Sequence, residues 1–310
     1  MPDVSRRAVL VLCADNGVVA QGVSQTDASV TRAVLENLTA RRTSVCRMAA
    51  AARCDVVPVD MGIAGTPVPG AADCRIAAGT ADFTTGPAMT RAQAVQAIAA
   101  GIALVRTQKQ NGAQLLATGE MGIGNTTTSA AVLAALTHAP AQAVTGRGGG
   151  LTDAAFEKKK QVIDRALALH RPDPADPVGV LAAVGGLDLA AMTGAFLGCA
   201  QNHVPAVVDG YISIVAALTA VRLCPAAGEY LFLSHASYEI GYRIAAQELG
   251  QEPCLLLGMR LGEGSGCPVM FQILRAACAV MDGMATFPEA AIEDDYLAPI
   301  RAQDSFTVTP

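Results

Sequence analysis

Short aliphatic and β-branched runs alternate along the chain with longer stretches in which apolar residues recur at helical spacing. That alternation predicts a mostly parallel sheet covered by helices on both faces, an α/β fold. Strands are predicted at Ala8–Cys13, Asp55–Val59, Gln114–Ala117, Ala206–Val208, Tyr230–Leu233 and Cys254–Leu257. Helices are predicted at Asp27–Ala52, Arg91–Gln110, Thr127–Leu136, Asp153–His170, Leu187–Ala200, Ser213–Leu223, Ser237–Leu249 and Pro268–Met284, with Thr90 and Thr152 placed as N-caps. Each predicted strand runs into a polar or glycine-containing turn: CADNG, VDMG, TGEMG, VDGYIS, LSHAS and LGMRLGEGSG. Ligands of open α/β sheets bind at the carboxyl ends of the strands, so the chemistry is expected in these turns. The stretch RPDPADP, Arg171–Pro177, reads as a linker or as a loop between two helices.

Composition narrows the class. The chain has 310 residues, 52% hydrophobic and 16% charged, enough to bury the core of one large α/β domain, alone or with a small second one. A net charge of -5 without a basic stripe excludes a nucleic-acid binder and leaves a small ligand or another protein as the expected partner. The apolar run Ala206–Val221 is broken by Asp209, Gly210 and Tyr211, which suits a buried strand, turn and helix and not a membrane span. The opening AVLVLC is too short for a secretory signal and reads as a first strand. Nine cysteines without a CxxC pair predict neither a disulfide framework nor a zinc site, and a reducing, cytoplasmic location is expected. The four histidines lack metal-ligand spacing, and no metal or cofactor is expected. A GxxxxGK[ST] loop and a GxGxxG fingerprint after the first strand are both missing, which weighs against ATPase and nicotinamide dehydrogenase readings.

The candidate chemistry lies in three glycine-framed turns. In ATGEMGIGNTTTS, Gly119, Gly122 and Gly124 allow sharp backbone turns, and Asn125 with Thr126, Thr127 and Thr128 opens a helix. A helix start of this kind offers N–H groups and a positive dipole end to a phosphate. Glu120 sits beside it as a second acid/base or as a ribose-hydroxyl ligand. The loop GRGGGL, Gly146–Leu151, precedes a helix carrying Lys158, Lys159 and Lys160, one of which is within reach of the same phosphate; a solvated helix face is the plainer reading. In RLGEGSG, Glu263 stands between Gly262 and Gly264, which clear space for a desolvated carboxylate suited to general-base work; a surface turn is the alternative.

Seven blocks in order, CADNGVVAQGVS (Cys13–Ser24), GTADFTTGPAMT (Gly79–Thr90), GEMGIGNTTTSAA (Gly119–Ala131), VGGLDLAAMTGAFLG (Val184–Gly198), VVDGYISIVAA (Val207–Ala217), SHAS (Ser234–Ser237) and RLGEGSG (Arg260–Gly266), resemble the nicotinate-nucleotide:dimethylbenzimidazole phosphoribosyltransferase family. The resemblance implies a Rossmann-like, doubly wound, mostly parallel sheet (1–265) and a small helical domain built from the chain ends, to which 266–310 contributes. It implies transfer of phosphoribosyl from nicotinate mononucleotide to 5,6-dimethylbenzimidazole or a related base, giving α-ribazole 5'-phosphate and nicotinate, by a homodimer. It also implies Glu263 as general base with Glu120 beside it. Phosphate and donor contacts are implied at Gly122, Ile123, Gly124, Asn125, Thr126, Thr127, Gly148, Gly149, Lys159 and Ser237, and a base pocket at Asp15, Asn16, Gln21, Met121 and Leu261. Three features depart from the family pattern. A leading helical segment with a PPGSLG-like motif is not in the sequence, so that part of the small domain is expected to be missing or supplied by another subunit. Asn16 replaces a histidine, and Asp188 replaces a common glutamate. Related two-subunit enzymes acting on phenolic bases, and a non-catalytic partner subunit, are the alternatives.

Overall fold

A computed structural model describes residues 3–293, 295 and 298–299. Its strands are β1 (Arg7–Ala14), β2 (Asp55–Gly62), β3 (Ala72–Asp73), β4 (Leu115–Met121), β5 (Ala206–Val208) and β6 (Leu231–Leu233). All pair in parallel, in the order β3-β2-β1-β4-β5-β6. The chain builds outward from β1 to β3, returns, and builds outward again from β4 to β6. The strand order therefore reverses between β1 and β4, and a doubly wound sheet is expected to open its ligand crevice near that reversal, at the carboxyl ends of the strands.

The helices are α1 (Ser29–Thr39), α2 (Ser44–Ala52), α3 (Arg91–Gln110), α4 (Asn125–Thr137), α5 (Ala141–Val144), α6 (Asp153–His170), α7 (Pro177–Val184), α8 (Leu187–Gln201), α9 (Tyr211–Leu223), α10 (Tyr242–Leu249) and α11 (Cys267–Gly283). β1 is buried along its whole length, and its two-residue period divides it between two cores. Ala8, Leu10, Leu12 and Ala14 face the larger core with α3, α4, α8 and α9, while Val9, Val11 and Cys13 face a second core with Leu35, Val45 and Phe271 of α1, α2 and α11. Helices α3 and α8 touch closely: a Cβ on Gly101 would lie 2.0 Å from the Ala191 carbonyl oxygen, so only glycine fits there.

Several boundaries differ from the sequence expectation. The predicted helix Asp27–Ala52 is two helices, because Arg41 turns into the left-handed region (φ 60°) and Thr43 restarts the chain in an extended conformation. β3 has two residues and α5 four, too short to leave a periodic signal. The Arg171–Pro177 stretch is a loop, not a linker, and it starts α7: the Gly179 N–H donates to the Asp176 side chain at 3.1 Å, and Pro177 fills the first helical position. Cys254–Leu257 forms only an isolated bridge, His235 to Leu255. The helix expected from Ser237 begins at Tyr242, leaving Ser237–Gly241 in a turn over the crevice. In α11, Cys267, Met270 and Phe271 pack into the second core, whereas Ile273, Val280 and Met281 farther along are exposed. The remainder of the expected 266–310 segment lies outside the described residues at 294, 296–297 and 300–310. Among the described residues no helix is long and apolar enough to cross a membrane.

Candidate active site

A cleft of about 300 Å³ occupies the crevice at the carboxyl ends of β4, β5 and β6. Of the residues singled out from the sequence, Glu120, Met121, Gly122, Ile123, Gly124, Asn125, Thr126, Gly148, Gly149, Lys159, Ser237, Leu261 and Glu263 line it. Four do not. Thr127 is fully buried on the first turn of α4. Asp15 accepts the Ala64 N–H at 2.9 Å, and Asn16 donates to the Ile123 carbonyl at 3.4 Å. Gln21 is held away by Asp82 (2.6 Å) and Arg165 (3.0 Å). Asp15, Asn16 and Gln21 follow β1, and their local hydrogen bonds turn them toward the supporting loops.

One end of the cleft is carboxylate-rich. Glu120, at the end of β4, is pushed up to about 8 by burial, against the Asn125 amide that stabilises its charge and with the help of the nearby Asp188 and Asp209. Asn125 Nδ2 donates to Glu120 Oε2 and, at 3.3 Å, to Asp188 Oδ2, so one amide bridges two buried acids. Burial likewise raises Asp188 to about 6 and Asp209 to about 7. Among the described residues none of these acids, nor Glu263, pairs with a lysine or arginine.

The loop carrying Glu263 folds in an unusual way. Gly262, Glu263 and Gly264 are all left-handed, at φ 89°, 60° and 81°. Glycine takes this conformation freely, but a glutamate there is strained by about 1–3 kcal/mol. The loop lies flat on β4: a Cβ at Gly119 would be 2.3 Å from the Glu263 carbonyl oxygen, and one at Gly262 would be 2.6 Å from Glu120 Oε1. Asp209, following β5, holds it in place by accepting the Gly264 N–H at 3.2 Å and the Gly266 N–H at 2.8 Å. Burial raises the Glu263 pKa, outweighing the Val45 N–H, the Thr43 hydroxyl and the Ser44 N–H at the start of α2. Glu263 Oε2 is buried without a hydrogen-bond partner, the environment of a carboxylate that takes up a proton readily.

The opposite end is built for an anion. Of the three adjacent lysines only Lys159 is buried; Lys158 is exposed, and Lys160 pairs with Glu157 at 2.5 Å. Lys159 Nζ donates to Thr126 Oγ1 at 2.8 Å and to the Gly146 carbonyl at 3.1 Å, and burial lowers its pKa to about 8. The start of α4 is less open than the sequence implies. The Ile123 N–H donates to the Thr31 hydroxyl, the Asn125 N–H to the Gly122 carbonyl and the Thr127 N–H to the Gly124 carbonyl.

Sequence reasoning missed Asp209 and Glu239 as members of this cleft. Asp209 carried a usable signal, an acid directly after a strand in VDG. Glu239 carried none, because the turn that delivers it was read as helix.

A protein-family model described as DBI_PRT, phosphoribosyltransferase, matches residues 1–292. A nicotinate-nucleotide–dimethylbenzimidazole phosphoribosyltransferase of Clostridium perfringens is 42% identical over 307 residues, covering 99% of this chain and 85% of its own length. One of the same name from Geobacter metallireducens is 44% identical over 294 residues, 94% of this chain and 83% of its own. The crystal structure of CobT from Thermus thermophilus superposes with a TM-score of 0.90 at 40% identity, covering 94% of this chain and 88% of that one. With this agreement in sequence and fold over nearly its whole length, the chain belongs to the nicotinate-nucleotide–dimethylbenzimidazole phosphoribosyltransferase family.

Proposed function

We propose that this chain transfers the phosphoribosyl group of nicotinate mononucleotide to 5,6-dimethylbenzimidazole or a related base, releasing nicotinate and α-ribazole 5'-phosphate. The observation that carries this reading is the polarity of the cleft, with proton-accepting carboxylates at one end and a buried lysine beside a glycine loop at the other. Lys159, Thr126, Gly148, Gly149 and Ser237 hold the donor phosphate, with the polar groups of Gly122–Asn125 that face the cleft. A ring nitrogen of the base attacks C1', the C1'–N bond breaks, and its electron pair returns to the pyridinium nitrogen of the departing nicotinate. The second ring nitrogen loses its proton to Glu263, so the charge that develops on the base is neutralised as the bond forms. Glu120, whose pKa burial raises to about 8, sits below Glu263 as the second acid/base of the cleft. Asp209 acts through the loop it anchors and is a positioning residue.

Met121 and Leu261 supply apolar surface for the base. The departure at Asn16 lies behind this region and not in the cleft lining, so Asn16 makes no direct contact with a base held there. The protein acts in the cytoplasm as a dimer, with itself or with a related subunit. The exposed apolar residues Ile273, Val280, Met281 and Met284 support placing the segment that begins at 266 in the small domain at that interface. Incubation with nicotinate mononucleotide and a panel of benzimidazoles and phenols, read by chromatography, tests the reading. Nicotinate release with a benzimidazole is expected, release with phenols alone points to the phenolic alternative, and no release with any acceptor leaves a non-catalytic subunit.

A further inference from the structure

Glu239 does not fit a purely structural role. It sits in the Ser237–Gly241 turn at the rim of the cleft, between the exposed side chains of Tyr238 (72%) and Ile240 (57%), yet its carboxylate reaches inward. Its Oε1 accepts the Gly148 N–H at 3.0 Å. Its Oε2 presses against Gly146, where a Cβ would be 1.6 Å away, and is buried without any hydrogen-bond partner. Burial lowers the Lys159 pKa, and the Glu239 charge is what opposes that shift, although the two side chains form no ion pair. A buried carboxylate oxygen with no donor is left without the hydrogen bonds it had in water, so the arrangement is poor as a stability device. As a rehearsal of another oxyanion it is coherent. A carboxylate and a phosphate ask for the same things: a backbone N–H in a glycine turn, a nearby cation, and room where a side chain would otherwise stand.

We propose that Glu239 is an internal placeholder for the donor phosphate, its carboxylate and the phosphate being alternative occupants of one seat formed by Gly146, Gly148 and Lys159. This rests on the reading that the donor phosphate binds at this end of the cleft. With Glu239 seated, the buried Lys159 has a compensating charge and the glycine loop keeps its shape. Phosphate entry requires only that the Glu239 side chain rotate outward, since the turn that bears it lies at the surface. The same exchange assists product departure, because the returning carboxylate competes with the phosphate of the product. The consequence is that apparent phosphate affinity is weakened by the fraction of time the seat is taken; a seat occupied by Glu239 nine-tenths of the time weakens it about tenfold.

The test is calorimetric titration of inorganic phosphate into the wild-type protein, Glu239→Gln, Glu239→Ala and Lys159→Ala. Both Glu239 variants are expected to bind phosphate about tenfold more tightly than wild type, and Lys159→Ala more weakly. Phosphate should raise the melting temperature of the two Glu239 variants by more than it raises that of the wild type. Equal or weaker phosphate binding in folded Glu239→Gln and Glu239→Ala overturns the proposal, as does failure of every protein to bind phosphate. This outcome separates from the proposed reaction. Tighter phosphate binding without nicotinate release by the wild type would overturn the activity and keep the placeholder, whereas nicotinate release without tighter binding in the variants would do the reverse.

Discussion

The two ends of the cleft are buried to a similar degree and answer burial in opposite ways. At the β4–β5 end burial makes acids weaker, raising Glu120 to about 8 and Asp209 to about 7, so that carboxyl groups hold or accept protons near neutral pH. At the glycine-loop end burial makes a base weaker, lowering Lys159 to about 8. Low polarity disfavours whichever form is charged, and the residue type decides what that means. In one place the result is a site for proton transfer; in the other it is a cation that gains from any anion placed beside it.

The sharpest way to break this contrast is Glu263→Gln. Turnover of nicotinate mononucleotide with a benzimidazole should fall on the order of 10²–10⁴-fold, with donor binding by calorimetry little changed. Retained turnover would move the base to Glu120. Next in size is Asp209→Asn, which replaces one of the two acceptors that hold Gly264 and Gly266 with a donor. Because a small misplacement of a reacting group is costly, kcat should drop about 10²-fold while the KM for the donor stays near wild type. An equal loss in both parameters would mean that Asp209 supports the whole cleft and not the Glu263 loop.

At the other end, Lys159→Ala should raise the donor KM by about 10–100-fold with a smaller effect on kcat, since it removes a charge-assisted contact and no proton acceptor. In the wild type, donor affinity should decline as pH rises through about 8 and Lys159 loses its proton, and in the variant that decline should vanish. A pH-independent wild-type affinity would remove the lysine from the phosphate site.

The smallest effect concerns stability. Glu120, Asp188 and Asp209 have folded pKa values of about 8, 6 and 7 against ordinary values of 4.5 for the glutamate and 3.8 for the aspartates. The folded chain therefore keeps protons that the unfolded chain releases. The stability these groups contribute is complete below their ordinary values and is lost as pH rises through about 6 to 8. Melting temperature measured from pH 5 to 9 should fall on the order of 5 °C, with a shallower slope in Glu120→Gln. A flat profile in the wild type would show that the acids are solvated and not buried.

The positions of β1, β2, β4 and β5, and of α3, α6, α8 and α9, were legible because each is long or flanked by clear turn residues. The misses have separate causes. β3 has only Ala72 and Asp73. The break between α1 and α2 rests on Arg41 in a left-handed conformation that arginine does not advertise. The Ser237–Gly241 turn looks helical because its apolar spacing continues that of α10, although its backbone is turned to aim Ser237 and Glu239 into the cleft. At the site, Glu120, Glu263 and the glycine loops were readable since glycine beside a polar residue after a strand has few other uses. Asp15, Asn16 and Gln21 share that signature, and nothing local distinguishes an acid that faces a cleft from one that accepts the N–H of Ala64.

Sequence by itself determined the sheet class, the ends of the strands where chemistry gathers, and the glutamate between two glycines, because these depend on periodicity and on backbone freedom within a few residues. Tertiary structure decided which lysine turns inward, that Asp209 anchors the Glu263 loop across 55 and 57 residues of chain, and that Glu239 reaches back to Gly148. Those contacts join segments far apart in sequence. Burial, which sets the proton affinities of all these groups, arises only when the segments pack.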